Sequence, residues 1–185
     1  MATTRRTARV AERSVESSAS AVEWTAINAG ALGAIGVTVI LLALSSGTGI
    51  AVGHPWAFNA PAPETFGVWI AIGMIVTQWL ASAVGGYLSG RLRKKWVGIR
   101  TDEVFFRDTA HGFLAWALAT VFMVALFSIV ASTAAVTGDV ATVAPTAEAQ
   151  QAAASYSLFT ALSFLIGAFI ASAAAAWGGY DRDEM

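Results

Sequence analysis

Asp108 and His111 are the two ionisable side chains whose spacing could best support chemistry. They lie three residues apart, so a helix places them on one face, where they could form a hydrogen-bonded pair that transfers a proton. In the structural alternative, Asp108 caps the third predicted helix and His111 lies in water at the depth of lipid headgroups. We favour this alternative, because ionisable groups near a helix end reach water at little cost and a proton relay needs further partners deeper in the segment.

Gln78 is the deepest clearly polar side chain of the predicted apolar segments. In a pore, its amide could offer a donor and an acceptor to a passing solute. In a packed set of helices, it would instead make an interhelical hydrogen bond worth about 0.6 kcal/mol, and at most about 2 kcal/mol. The packing interpretation is favoured, because it is the ordinary role of such a side chain between helices.

Few residues of this chain could hold a cofactor or a metal. The chain has no cysteine, which excludes disulfides, thiolate metal sites and catalytic thiols. The predicted topology puts its two histidines, His54 and His111, on opposite sides of a membrane, so they cannot both ligate one haem. Glu64 adds one ligand to His54, which is too few for a metal site. No phosphate loop, dinucleotide fingerprint or nucleophile motif is present, so we expect neither a cofactor nor an enzyme.

The composition indicates that membrane-spanning helices position these residues. Hydrophobic residues make up 56% and charged residues 12% of the chain, far from the averages of soluble proteins. Four apolar segments can each cross a hydrocarbon core of about 30 Å, and they cover residues 24–45, 65–90, 110–133 and 154–177. The predicted fold is all-α, a four-helix transmembrane bundle over residues 23–180, with a disordered tail over 1–22 and a short tail over 181–185.

The connection between the second and third segments combines a helix start with a polar and aromatic lead-in. Thr101 is followed by Asp102 and Glu103, which is typical of a helix that begins with acids in its first turn. The sequence VFFRD that follows is expected to lie along the membrane interface before the third span turns inward at about residue 110.

The positive charges predict the orientation of the chain in the membrane. Lysine and arginine are concentrated in the first thirteen residues and between the second and third spans, whereas the other two connections contain neither. Short connections rich in these residues stay on the cytoplasmic side, so we expect both termini in the cytoplasm and the protein in a bacterial inner membrane. The basic connection is too short to indicate nucleic-acid binding. Its residues expected at anionic lipid headgroups are Arg91, Arg93, Lys94 and Lys95.

The arginine-rich beginning of the chain also raises the alternatives of a signal peptide or a transit peptide. The apolar segment that follows is longer than the roughly 7–15 residues of a signal-peptide core, so a retained span is favoured. A transit peptide is poor in acids, which Glu12, Glu16 and Glu23 contradict.

Small residues recur at helical spacing in three of the predicted spans. Such stripes let a neighbouring backbone approach closely, and this use is commoner than the lining of a conduit. The predicted packing residues are Ala29, Gly33 and Gly36 in the first span, Ser82, Gly86 and Gly90 in the second, and Ser163, Gly167, Ala171, Ala175 and Gly179 in the fourth.

Three stretches, EWTAINAGALGAIG, VGGYLSGRLR and HGFLAWALAT, resemble a group of small bacterial inner-membrane proteins often labelled PhnA-like. The resemblance covers roughly residues 23–137. It implies an uncharacterised membrane family without an agreed activity, and the label is not evidence for phosphonate chemistry. This chain differs from the group by the charged insertion KKWVGIRTDEVFFRD before His111.

Together these patterns favour a non-enzymatic integral inner-membrane protein. It would act as an accessory or scaffold subunit or by self-association, and its partners would be membrane lipids together with a second copy of itself or a larger membrane complex. The alternative is a small transporter or channel subunit with Asp108 and His111 in a proton-coupled path. A membrane enzyme would need a cluster of ionisable residues in one leaflet, which only this pair approaches. No internal repeat indicates an inverted-repeat transporter.

Overall fold

A computed structural model describes residues 21–47, 63–96, 98–137 and 147–185 of the chain. Within these ranges the chain forms four helices: α1 (Trp24–Gly47), α2 (Pro63–Arg91), α3 (Thr101–Thr137) and α4 (Ala147–Asp183). This architecture confirms the predicted all-α class. The predicted disordered tail falls almost entirely outside the described residues.

The helix ends differ from the predicted spans where polar residues are held by partners. α3 begins at Thr101, not near residue 110, and its first turn carries the predicted acids Asp102 and Glu103 beside the positive end of the helix dipole. Arg107 donates a hydrogen bond of 2.8 Å to Glu103 one turn earlier. The VFFRD segment therefore continues the helix and does not form a separate interfacial segment. α4 extends to Asp183, so most of the predicted tail over residues 181–185 is helical.

The four helices pack so that α2 and α3 separate α1 from α4. Both α2 and α3 contact every other helix, and the contact between α2 and α4 is the most extensive. In the described part of the chain α1 and α4 do not contact each other. We call this arrangement the helix assembly.

Small side chains form the buried centre of the helix assembly. Ala31, Ala34, Ala81 and Ala119 pack together as one cluster. Gly86 lies directly against the backbone of Ala171, with the Ala171 Cα 2.7 Å from the point that a β-carbon on Gly86 would occupy. Such contacts bring backbones together at a distance that larger residues prevent.

Not every predicted packing glycine takes part in a helix contact. Gly33 faces the side chain of Leu88, whereas Gly36 is exposed and no described atom lies within 4 Å of its would-be β-carbon. The predicted packing role is therefore wrong for Gly36.

Buried positions are concentrated toward one end of the helix assembly. On α3, Asp108, His111, Gly112 and Ala115 are buried, whereas almost every described side chain over residues 121–129 is exposed. The described side chains of α4 follow the same trend, with residues 157–162 exposed and Ala171, Ala175, Gly178 and Gly179 buried.

Within the described ranges, three helices are long and apolar enough to cross a membrane. These stretches are Trp24–Leu44, Thr101–Ile129 and Ser157–Asp183, with mean hydropathy of 2.2, 2.2 and 2.0. Their outward faces expose large apolar side chains such as Leu32, Val121 and Phe169. Water disfavours an apolar surface of this extent, which indicates a membrane protein. The membrane crossing by α2 stays a prediction.

Candidate functional site

Arg93, Asp108 and Asp183 form a buried group of charges, which we call the ion cluster. Arg93 lies just after α2, its side chain is fully buried, and its guanidinium forms a bidentate pair with Asp108 of α3 through Nε–Oδ1 and Nη2–Oδ2 (2.8 Å). Asp183 of α4 accepts from Nη2 at 2.9 Å and from Nη1 at 3.4 Å. The backbone carbonyl of Lys94 accepts from Nη1 at 3.0 Å. These five contacts match the five N–H groups of a guanidinium, so the donors of Arg93 are all used.

Burial and hydrogen bonding act in opposite directions on the charge of Arg93. Burial alone lowers the pKa of the Arg93 guanidinium, but its hydrogen bonds to Asp108 and Asp183 and their negative charges outweigh burial and raise that pKa above its ordinary value. Lys95 contacts the same helix end, where its Nζ donates to the backbone carbonyl of Asp183 at 2.8 Å. Arg93 therefore remains a fixed cation.

His111 is buried one turn away, with 1% of its surface exposed. Its Nε2 lies 2.9 Å from the backbone nitrogen of Glu23, and its Nδ1 lies 2.6 Å from the carbonyl oxygen of Arg107. Because a backbone N–H can only donate, Nε2 accepts and Nδ1 carries the proton, which assigns the neutral tautomer from the network. The expectation that His111 lies in water is wrong.

Trp96 covers the ion cluster and His111 from the connection between α2 and α3. Its ring meets the His111 imidazole edge to face at 6.3 Å between centroids. The guanidinium of Arg107 lies 5.0 Å from the Trp96 ring centroid and that of Arg93 lies 5.9 Å away. The same connection also contacts the start of α1, because a carboxylate oxygen of Glu23 accepts from the backbone N–H of Lys94 at 2.6 Å.

These contacts bring four helix ends together at one end of the helix assembly. Glu23 precedes α1, Arg93 follows α2, Asp108 and His111 lie near the start of α3, and Asp183 ends α4. Successive helices therefore run in opposite directions.

Asp108 and His111 are close to each other in this site, but each is bound to a different partner. Asp108 pairs with Arg93, and His111 bonds to the backbones of Arg107 and Glu23. Asp108 does not cap α3, because the helix begins seven residues earlier at Thr101. Sequence reasoning found this pair and missed Arg93 and Asp183 as its neighbours. A buried aspartate needs a cationic partner, and this requirement was the signal that could have identified the nearby Arg93 as the partner of Asp108.

Gly179 of α4 makes room for the ion cluster. A β-carbon at this position would overlap the Asp108 carboxylate and would lie 3.1 Å from Arg93 Nη2. Gly179, the last small residue of the α4 stripe, therefore leaves room for the Arg93–Asp108 pair in addition to allowing close helix packing.

Only part of the predicted headgroup-binding group is available to lipids. The prediction is wrong for Arg93, whose donors are used inside the protein. Arg91 is half-buried and donates to the Met185 sulfur at 3.2 Å. The side chains of Lys94 and Lys95 are exposed.

Gln78 lies half-buried in the wall of a cavity of about 190 Å³ between the helices. Its backbone carbonyl accepts from the Ser82 hydroxyl at 2.7 Å. Ser163 of α4 is also buried.

The described residues contain no group of three or more histidine, aspartate or glutamate side chains suited to a metal ion. His54 lies outside the described ranges.

The chain matches no protein-family model, no curated protein and no solved structure. The resemblance to the PhnA-like group stays a prediction.

Proposed function

We propose that this chain is a non-enzymatic integral membrane protein that acts as an accessory or scaffold subunit, through contacts of its apolar exterior. One observation carries the proposal: the buried ionisable groups direct their hydrogen bonds to one another and to the backbone of the same chain. Groups arranged in this way stabilise a fold. They offer no free acid or base to a substrate.

The alternative, a transporter or channel subunit with a proton-coupled path, is less well supported by this geometry. A relay needs groups that gain and lose protons as solutes pass. Arg93 is a fixed cation, Asp108 is held by it in a bidentate pair, and both ring nitrogens of His111 are bonded. Breaking a buried ion pair by removing one partner typically costs about 3–5 kcal/mol, which disfavours repeated opening.

We further propose that all four helices span a bacterial inner membrane as a bundle with both termini in the cytoplasm. The alternating directions of the helices support an up-and-down arrangement in which α2 crosses like its neighbours. The exposed Lys94 and Lys95 and the half-buried Arg91 lie at the end where the ion cluster is found, and positive charge favours the cytoplasmic side.

Proton flux into liposomes tests the scaffold function directly. The purified chain is reconstituted with a pH-sensitive dye inside the vesicles, and a potassium gradient with valinomycin supplies the driving force. We expect flux equal to that of protein-free liposomes. Flux above this level that is lost in Asp108→Asn would overturn the proposal and favour the proton-coupled path.

A second measurement tests association. In mild detergent we expect the protein to elute as a homo-oligomer or with a co-purifying membrane protein. A strictly monomeric species without a partner, including after chemical cross-linking in membranes, would contradict a scaffold role.

A further inference from the structure

The cavity beside Gln78 combines apolar walls with a polar end. Its described lining includes Ile35, Leu42, Met74, Met123 and Phe127, and none of the described lining residues carries a formal charge. A volume of about 190 Å³ is large enough for a small organic molecule. The walls favour an uncharged and mainly apolar occupant.

The polar end is built around Gly167 of α4. The point that a β-carbon on Gly167 would occupy lies 3.0 Å from Gln78 Nε2, 3.0 Å from Ser82 Oγ and 3.2 Å from Trp116 Nε1. All three of these side chains also line the cavity. The absence of a side chain at Gly167 lets these three polar atoms converge beside the α4 backbone.

Trp116 supplies a donor without an acceptor at this end. Its Nε1 is buried and has no hydrogen-bond partner in the described part of the chain. The indole is held by ring contacts with Phe113 at 5.7 Å and Phe164 at 6.4 Å between centroids. A buried N–H without an acceptor is costly, so an acceptor atom from a ligand would be bound favourably.

We propose that this cavity binds an uncharged, membrane-soluble molecule with a ring or short chain in the apolar part and a carbonyl oxygen that accepts from Trp116 Nε1. The Gln78 amide supplies a second donor close to the same oxygen. The Ser82 hydroxyl donates its hydrogen to the backbone carbonyl of Gln78, so toward a ligand its oxygen acts as an acceptor. This inference does not depend on the proposed scaffold function, since a conducting protein could hold the same ligand.

Photolabelling with benzophenone, an apolar aryl ketone, tests the proposal on the full chain in detergent. Labelling should saturate with benzophenone concentration, and adducts should map to the lining residues Met74 and Met123. Trp116→Phe keeps a ring but removes the donor, so it should raise the half-saturating concentration about tenfold. Ala119→Leu places a larger side chain on the cavity wall and should abolish saturable labelling.

Trp79→Phe is the matched control. The Trp79 Nε1 is also buried without a partner, but Trp79 is not among the described lining residues, so this change should leave the half-saturating concentration unaltered. Labelling that rises linearly with concentration, or that is equal in Trp116→Phe and the unmodified protein, would overturn the proposal.

A competition experiment on the unmodified protein tests the proposed hydrogen bond to the ligand even if Trp116→Phe does not fold. 2-Acetonaphthone carries a carbonyl, and 2-isopropylnaphthalene has nearly the same shape without an acceptor. The ketone should displace benzophenone at about tenfold lower concentration. Equal potency of the two compounds would show that no hydrogen bond selects the ligand.

Discussion

Arg93 differs from the other basic residues near it because its charge is directed into the protein. Its planar guanidinium reaches two carboxylates and a carbonyl at once. A lysine has three donors on a single nitrogen and could not reproduce the bidentate pair with Asp108. The identity of the side chain at this position therefore matters beyond its charge.

Removal of one carboxylate from the ion cluster should cost more at Asp108 than at Asp183. The side chain of Asp108 is 3% exposed and that of Asp183 is 31% exposed. Asp108→Asn leaves a buried guanidinium poorly paired, so we expect a loss of about 3 kcal/mol in the free energy of unfolding. Asp183→Asn should lose less than about 1 kcal/mol, because water reaches that carboxylate. Unfolding in detergent measures both variants, and equal losses would contradict the role assigned to burial.

His111→Phe should destabilise the protein by about 1–3 kcal/mol. The phenyl ring cannot accept from the Glu23 N–H or donate to the Arg107 carbonyl. The melting temperature should fall, and the Glu23 amide should exchange its hydrogen faster. Phe105→His swaps the same pair of side chains at an exposed position and should change neither quantity. A His111→Phe protein that melts like the unmodified one would argue against these two bonds.

Residue spacing identified Asp108 and His111 but could not identify their partners. The i, i+3 pattern reports neighbours on one helix, whereas Arg93 is 15 residues from Asp108, and Glu23 is 88 residues from His111. Long-range pairing depends on how the helices pack, which a periodic pattern in a single segment does not contain.

At the scale of the helices, Gly86 and Gly36 make a matched pair. Gly86→Ile would force a branched side chain into the backbone of Ala171, so we expect at least about 1–3 kcal/mol of destabilisation from overpacking. Gly36→Ile projects into open space and should have little effect. Melting temperature and monodispersity in one detergent test the pair. Similar losses of stability in both variants would show that the close α2–α4 contact at Gly86 does not determine the stability of the protein.

Hydropathy located the helices well and their ends less well. All four apolar segments fall within observed helices, because a continuous apolar run long enough to span a membrane is a strong signal. The first turns of α3 and the last turn of α4 carry several charged residues, so the predicted apolar segments end before the helices do. These turns are stabilised by pairs such as Arg107–Glu103 and Arg93–Asp183.

At the scale of the whole molecule, the distribution of positive charge predicts its orientation. Reporter fusions at Lys95 and Met185 should give cytoplasmic signals, and fusions at Pro61 and Ala144 should give external signals, because lysine and arginine are absent from both of the latter connections. An external signal at Lys95 would reverse the predicted topology.

Helix ends from all four helices meet around the ion cluster and His111, whereas the described side chains further along α3 and α4 are largely exposed. A thinner or thicker bilayer should therefore displace the exposed parts of α3 and α4 more than the buried end that holds the ion cluster.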